Sequence, residues 1–208
     1  MAKSSRRSPA PGERQRDPER TRERILDAAR TEFGTKGFAG ARVGEIADRA
    51  GVNKQLISYY FGGKQGLYDE LATRFRRSAR QQASPDAAAD EVIAGFVMST
   101  LTNRDTSRLM AWEGLADDAR RATDPAQRDF LRAQVQYVAT RQQRGELPDD
   151  LDPGYLLLAL IAAASASVVL PNLVRGIVGD DPKSAEFHRR YADELAKLVR
   201  HLRPQPAP

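Results

Sequence analysis

The residues with the most chemical reach sit together in GVNKQLISYYFGGKQGLY, residues 51–68. Within that run Lys54, Gln55, Leu56, Ser58, Tyr59 and Tyr60, followed by Lys64, offer cations, an amide, hydroxyls and one apolar tip. This set suits noncovalent recognition of a nucleic acid. A glutamine amide can pair bidentately with adenine, a lysine reaches guanine or phosphate, and a leucine meets a thymine methyl. Tyrosine hydroxyls and a lysine at a helix N-terminus suit phosphate oxygens.

Bond-making chemistry finds no comparable cluster. His188 and His201 are the only histidines, no carboxylate pair joins them at metal spacing, and cysteine is absent. Gly62-Gly63-Lys64 lacks the spacing of a phosphate-binding loop. The chain therefore reads as no enzyme, with no catalytic residue, metal site or cofactor. Without cysteine, disulfides and thiolate metal sites are excluded.

Composition fits a soluble protein: 40% hydrophobic and 29% charged residues over 208 positions, net charge +5. Arginine dominates its cations, 27 against 6 lysines, and the charge is uneven. Residues 1–80 carry a net +8 and residues 81–208 a net −3. A basic first third on an acidic remainder fits a polyanion-binding module joined to a part with another task. The basic, Pro- and Ser-containing N-terminus has no apolar core and does not read as a secretory signal.

Helical periodicity recurs and no strand-like alternation does, so the fold class is all-α, with about nine helices. Asp17-Pro18, Ser84-Pro85, Asp124-Pro125, Asp152-Pro153 and Asp181-Pro182 read as helix starts, a polar cap followed by a proline. The predicted helices cover 18–35, 42–50, 53–60, 64–82, 85–103, 108–119 and 125–144, with two more beginning at Pro153 and near Ser184. Gly34 and Gly37 are expected to end the first. The expected domains are a disordered basic arm at 1–16, a helix-turn-helix domain at 17–82, a second helical domain at 83–203, and a disordered tail at 204–208.

On the helices over 43–61, Ile46, Ala47 and Ala50 face inward, as do Ile57 and Phe61, with Gly51 at the turn and Val52 in the corner. This is a helix-turn-helix pattern, although αα-corners also occur in proteins that touch no DNA. A side chain at Gly51 would cost about 1 kcal/mol through left-handed strain. Tyr60 stands at the edge, either toward DNA or packed on the next helix.

The stretch GFAGARVGEIADRAGVNKQLISYYFGGKQGLYDEL resembles the DNA-binding domain of TetR-family transcriptional regulators, through Gly37-Phe38, Ala50-Gly51-Val52, Tyr60-Phe61 and Lys64. Where relatives often begin the second helix with Thr or Ser, this chain has Ala41-Arg42, which favours a phosphate or minor-groove contact by Arg42. The Arg-rich arm, residues 3–24, either lies along a minor groove or only solubilises.

The resemblance implies a homodimer that binds a near-palindromic operator, typically as a ligand-responsive repressor, in the bacterial cytoplasm and nucleoid-associated when bound. Two-fold readers of this kind meet major-groove faces roughly 34–36 Å apart. Residues 155–174 hold no charge over twenty positions. They are long enough for a membrane span but are Ala- and Ser-rich and hold Pro171, so a helix buried on every side is expected. Pairing of the last two long helices with their copies would place Leu160, Ala164, Val168, Phe187, Tyr191, Leu195 and Leu198 at a dimer interface. A small hydrophobic effector, whose binding would shift the separation of the two DNA-binding heads, would meet Phe96, Met98, Met110, Trp112, Phe130 and Tyr137, with Glu113 as polar anchor. A regulator without effector and a membrane-anchored regulator are the alternatives.

Overall fold

The computed structural model describes residues 11–115 and 124–203; residues 1–10 of the basic arm, the expected end of the 108–119 helix and the tail 204–208 lie outside the described residues. Ten helices and no strand occur among the described residues. They are α1 (Pro11–Gly40), α2 (Val43–Ala50), α3 (Lys54–Phe61), α4 (Lys64–Gln82) and α5 (Ala89–Thr102). α6 (Arg104–Leu115), α7 (Pro125–Gln143), α8 (Pro153–Val169), α9 (Pro171–Val178) and α10 (Ala185–Leu202) follow. Packing divides the chain into two units inside α4, between Ala72 and Thr73, rather than after it.

In the first unit α1 packs on α2 and α2 on α3. The buried face of α1 (Ile25, Leu26, Ala29 and Phe33) meets Ile46, Ala47 and Ala50 of α2, Ile57 of α3 and Leu67 of α4 in one core. Phe33, Phe38 and Tyr68 form a ring cluster with centroids 5.4–5.9 Å apart. α1 is bounded at Pro11, seven residues before the expected start at Pro18. The run Glu13-Arg14-Gln15-Arg16 is made of good helix formers, and Pro18 sits inside the helix. Gly34 stays helical; the backbone leaves the helix at Gly37 (φ 67°, ψ 174°) and re-enters it up to Gly40. Phe61 is only half-buried, its ring covered by the Arg22 guanidinium at 5.0 Å. Gly66 has no room for a side chain: a Cβ there would lie 1.6 Å from the Phe61 carbonyl oxygen.

The second unit is built around α5, which packs chiefly on α10 and on α8. Its core joins Ile93, Val97 and Leu101 of α5 to Val138, Leu156, Ala164, Val168, Ala192, Ala196 and Val199. Two of the five proline-marked starts hold. Asp124 caps α7 by accepting from the Ala126 N–H at 3.0 Å, and Asp152 caps α8 by accepting from Gly154 and Tyr155 at 2.8 and 3.1 Å. Ser84-Pro85 does not begin α5, because its carbonyls are held by α7. The Tyr137 hydroxyl and the Arg141 guanidinium donate to the Ser84 oxygen, and Arg144 donates to that of Pro85. α10 starts after Ser184, whose hydroxyl accepts from the Phe187 N–H, not at Asp181-Pro182.

The uncharged stretch 155–174 is two helices rather than one. Pro171, lacking an N–H, starts α9 at a bend of 89° from α8. No single helix among the described residues is long and apolar enough to cross a membrane, although the bent pair passes on length and composition. Within the single chain one side of this stretch stays uncovered: Tyr155 is 78% exposed, Leu158 63%, and α9 has no buried residue.

Candidate nucleic-acid interface and internal cavity

Two glycines and a short cap aim α3. Gly51 adopts the left-handed conformation (φ 62°, ψ 43°), turning the chain between α2 and α3. The Asn53 side chain then accepts from the Gln55 N–H at 2.9 Å, so α3 starts on a satisfied donor. Gly62, also left-handed, ends it. With Ile57 fully buried, the opposite face carries Lys54, Gln55, Ser58 and Tyr59, all exposed, Tyr59 to 80%. Leu56 and Tyr60 are half-buried, and Tyr60 meets Tyr59 edge-on at 5.2 Å. Arg42 is exposed at the N-cap of α2 and makes no capping bond.

Lys64 is less free than a solvated cation. Its ammonium donates to the Ala39 carbonyl at 3.2 Å and stands 4.7 Å over the Phe38 ring. Partial burial pushes it below the usual lysine value. Sequence reading missed Arg24, which donates to the carbonyls of Ala50 and Gly51 and so satisfies the end of α2. It also missed Lys36, which links α1 to α2 by pairing with buried Glu32 at 2.9 Å and with Glu45. The Glu45 partner raises Lys36 above its ordinary value, and Lys36 lowers Glu45. Both residues look like ordinary surface charges in a string, so periodicity gives no signal for them.

The second unit holds a cavity of about 130 Å³. Of the residues expected at an effector pocket, Phe96, Met110, Phe130 and Tyr137 line it. Met98, Trp112 and Glu113 do not: Met98 packs against the core, and Trp112 turns partly to solvent. Burial raises the Glu113 carboxyl to about 7. Polar groups of the wall that composition did not suggest are Gln82 of α4 and Gln127, Gln134 and Arg141, the last three on one face of α7 at heptad spacing.

The expected dimer residues divide as well. Ala164, Val168 and Phe187 are buried within the chain itself. Leu160, Tyr191 and Leu195 are half-buried, and only Leu198 is openly exposed. The buried stripe of α10 runs through Ala192, Ala196 and Val199 instead of the larger residues, because small side chains let α10 approach α5 closely.

An exposed polar face on the second helix of a glycine-turned pair has the form that reads duplex DNA in the major groove. Fold and face together define a helix-turn-helix regulator of transcription. Residues 25–71 match the family described as bacterial regulatory proteins, tetR family, and residues 93–197 match the tetracyclin repressor-like C-terminal domain. The chain belongs to the TetR family. It is 32% identical over 192 residues to the HTH-type transcriptional repressor SCO4008 of Streptomyces coelicolor, spanning 90% of this chain and 97% of that one. It is 26% identical over 199 residues to the HTH-type transcriptional regulator RutR of Escherichia coli, spanning 90% and 92%. Its fold is similar to that of the putative transcriptional regulator SCO4942 of Streptomyces coelicolor, with a TM-score of 0.69, 27% identity, and 89% and 99% of the two chains covered. These relatives are regulators of transcription rather than enzymes.

Proposed function

We propose that this chain is a ligand-responsive repressor that acts in the cytoplasm as a homodimer on a near-palindromic operator. One observation carries the DNA-reading part: Lys54, Gln55, Ser58 and Tyr59 form one solvent-facing side of a helix whose other side is sealed by Ile57. Lys54 and Gln55 reach base edges, Leu56 touches a thymine methyl, and Ser58, Tyr59, Tyr60, Arg42 and Lys64 hold phosphates. Repression is supported by the similarity to SCO4008, whose name describes a repressor.

Dimerisation is supported by apolar side chains that α8, α9 and α10 leave uncovered, among them Tyr155, Leu158, Ile177 and Leu198. A monomer seldom exposes so continuous an apolar surface without a partner for it. A ligand-sensing role is supported by the cavity, whose walls are mostly apolar with few polar groups.

Selection of bound fragments from genomic DNA, beginning with the sequence flanking the gene itself, tests the reading. Footprinting is expected to show a near-palindrome occupied by two subunits, with affinity falling steeply as salt rises. Equal affinity for the selected site and for random duplex would remove the repressor reading. A thermal-shift screen of hydrophobic compounds tests the sensor part, since a bound ligand stabilises by mass action.

A further inference from the structure

The cavity has a mostly apolar and aromatic wall. Its volume of about 130 Å³ is near that of an engineered cavity, about 150 Å³, that takes up benzene. Three phenylalanines stand in its wall, Phe75, Phe96 and Phe130, and Phe75 meets Phe130 edge-on at 6.4 Å. Among the described residues the only ionic one in the wall is Arg141, 2% exposed. One terminal nitrogen of its guanidinium donates to the Ala87 carbonyl and to Glu146, the other to the Ser84 carbonyl and the Tyr137 hydroxyl. Glu146 neutralises it, and both terminal nitrogens are committed to the protein. Arg80, over the outer part of Phe130 at 5.9 Å, is exposed and solvated. Among the described residues the wall thus offers no unspent charge to an ion, and a buried ion without a partner is costly. The side-chain amides of Gln127 and Gln134, neighbours on α7, line the same cavity, as does that of Gln82 on α4, and none of the three makes a hydrogen bond among the described residues.

We propose that the effector is a neutral, one-ring aromatic compound bearing a single hydrogen-bonding group, its ring among the phenylalanines and its polar group on the Gln127 and Gln134 amides. The proposal rests on the ligand-sensing reading above and narrows it to a chemical class.

Titration calorimetry of the full chain with toluene, benzamide, benzoate and benzylammonium, probes of nearly one size, tests it. Benzamide is expected to bind, toluene to bind more weakly, and each ion to bind on the order of 100-fold more weakly than benzamide. Gln134→Leu, with unchanged helix content by circular dichroism, is expected to shrink the advantage of benzamide over toluene. Benzoate or benzylammonium binding as tightly as benzamide overturns the charge rule. A benzamide advantage that survives Gln127→Leu and Gln134→Leu together overturns the placement. Binding of none of the four overturns the one-ring class. The wider screen then separates the readings: a larger compound that raises the melting temperature keeps the sensor role, and no such compound removes it too.

Discussion

The Arg24 guanidinium donates to the Gly51 carbonyl at 3.1 Å, and a Cβ placed on Gly51 would lie 2.8 Å from the same guanidinium. α1 therefore holds the turn that aims α3, through a bond that a side chain at the turn would displace. Its removal should loosen the reading helix without exposing the core.

Arg24→Met is expected to cost about 1 kcal/mol of stability, the worth of an exposed charge-assisted bond, and to weaken operator binding. Gly51→Ala should cost about 1–2 kcal/mol from left-handed strain and crowding. Because the two effects share one contact, the double variant should lose less than the sum of the singles. Urea denaturation of all four proteins measures this; strict additivity would show that the contact does not constrain the turn.

Gln55→Ala should weaken operator binding by about 1–3 kcal/mol and leave binding to random duplex nearly unchanged, as expected of a base contact. Fluorescence anisotropy on both DNAs gives the comparison. Equal losses would mean that Gln55 touches only the backbone.

Glu113 supplies the pH dependence. Burial raises its folded-state value to about 7 from the ordinary 4.5, so between these values the folded protein binds more protons than the unfolded one. Stability must then fall as pH rises from about 5 to about 8, by roughly 2 kcal/mol allowing for partial exposure. Glu113→Gln should flatten that decline and be more stable than the parent at pH 8. Melting curves across the range decide it.

Ser167 is buried with an unpartnered hydroxyl, and the Tyr191 hydroxyl bonds at 2.6 Å to the Ala163 carbonyl one turn before it. Ser167→Ala removes an unmet hydrogen-bonding group and should raise stability by up to about 1 kcal/mol. In a Tyr191→Phe background the serine can use Ala163 itself, and the gain should vanish. A gain that persists there would show that Ser167 does not reach the Ala163 carbonyl, and no gain in the parent background would indicate that Ser167 is hydrated.

Legibility followed the range of each interaction. Gly51, Asn53 and the inward face Ile46–Ala47–Ala50–Ile57 were readable because cap, turn and helical period are local and leave fixed spacings. Asp124 and Asp152 were readable as caps for the same reason. Ser84-Pro85 misled, since its carbonyls are claimed by Tyr137 and Arg141 from more than fifty residues away, a competition that no window of sequence contains. Phe187 and Leu198 share an apolar stripe in the sequence, yet one is buried and the other 49% exposed.

By itself, then, the sequence determined an all-helical chain, the glycine turn, and a polar, tyrosine-bearing side on the helix after it, because these depend on backbone geometry and near neighbours. Tertiary packing alone decided which apolar residues the chain covers for itself, which it leaves exposed, and where Arg141 spends its charge. Periodicity records that residues share a face; only the neighbouring helix determines what that face meets.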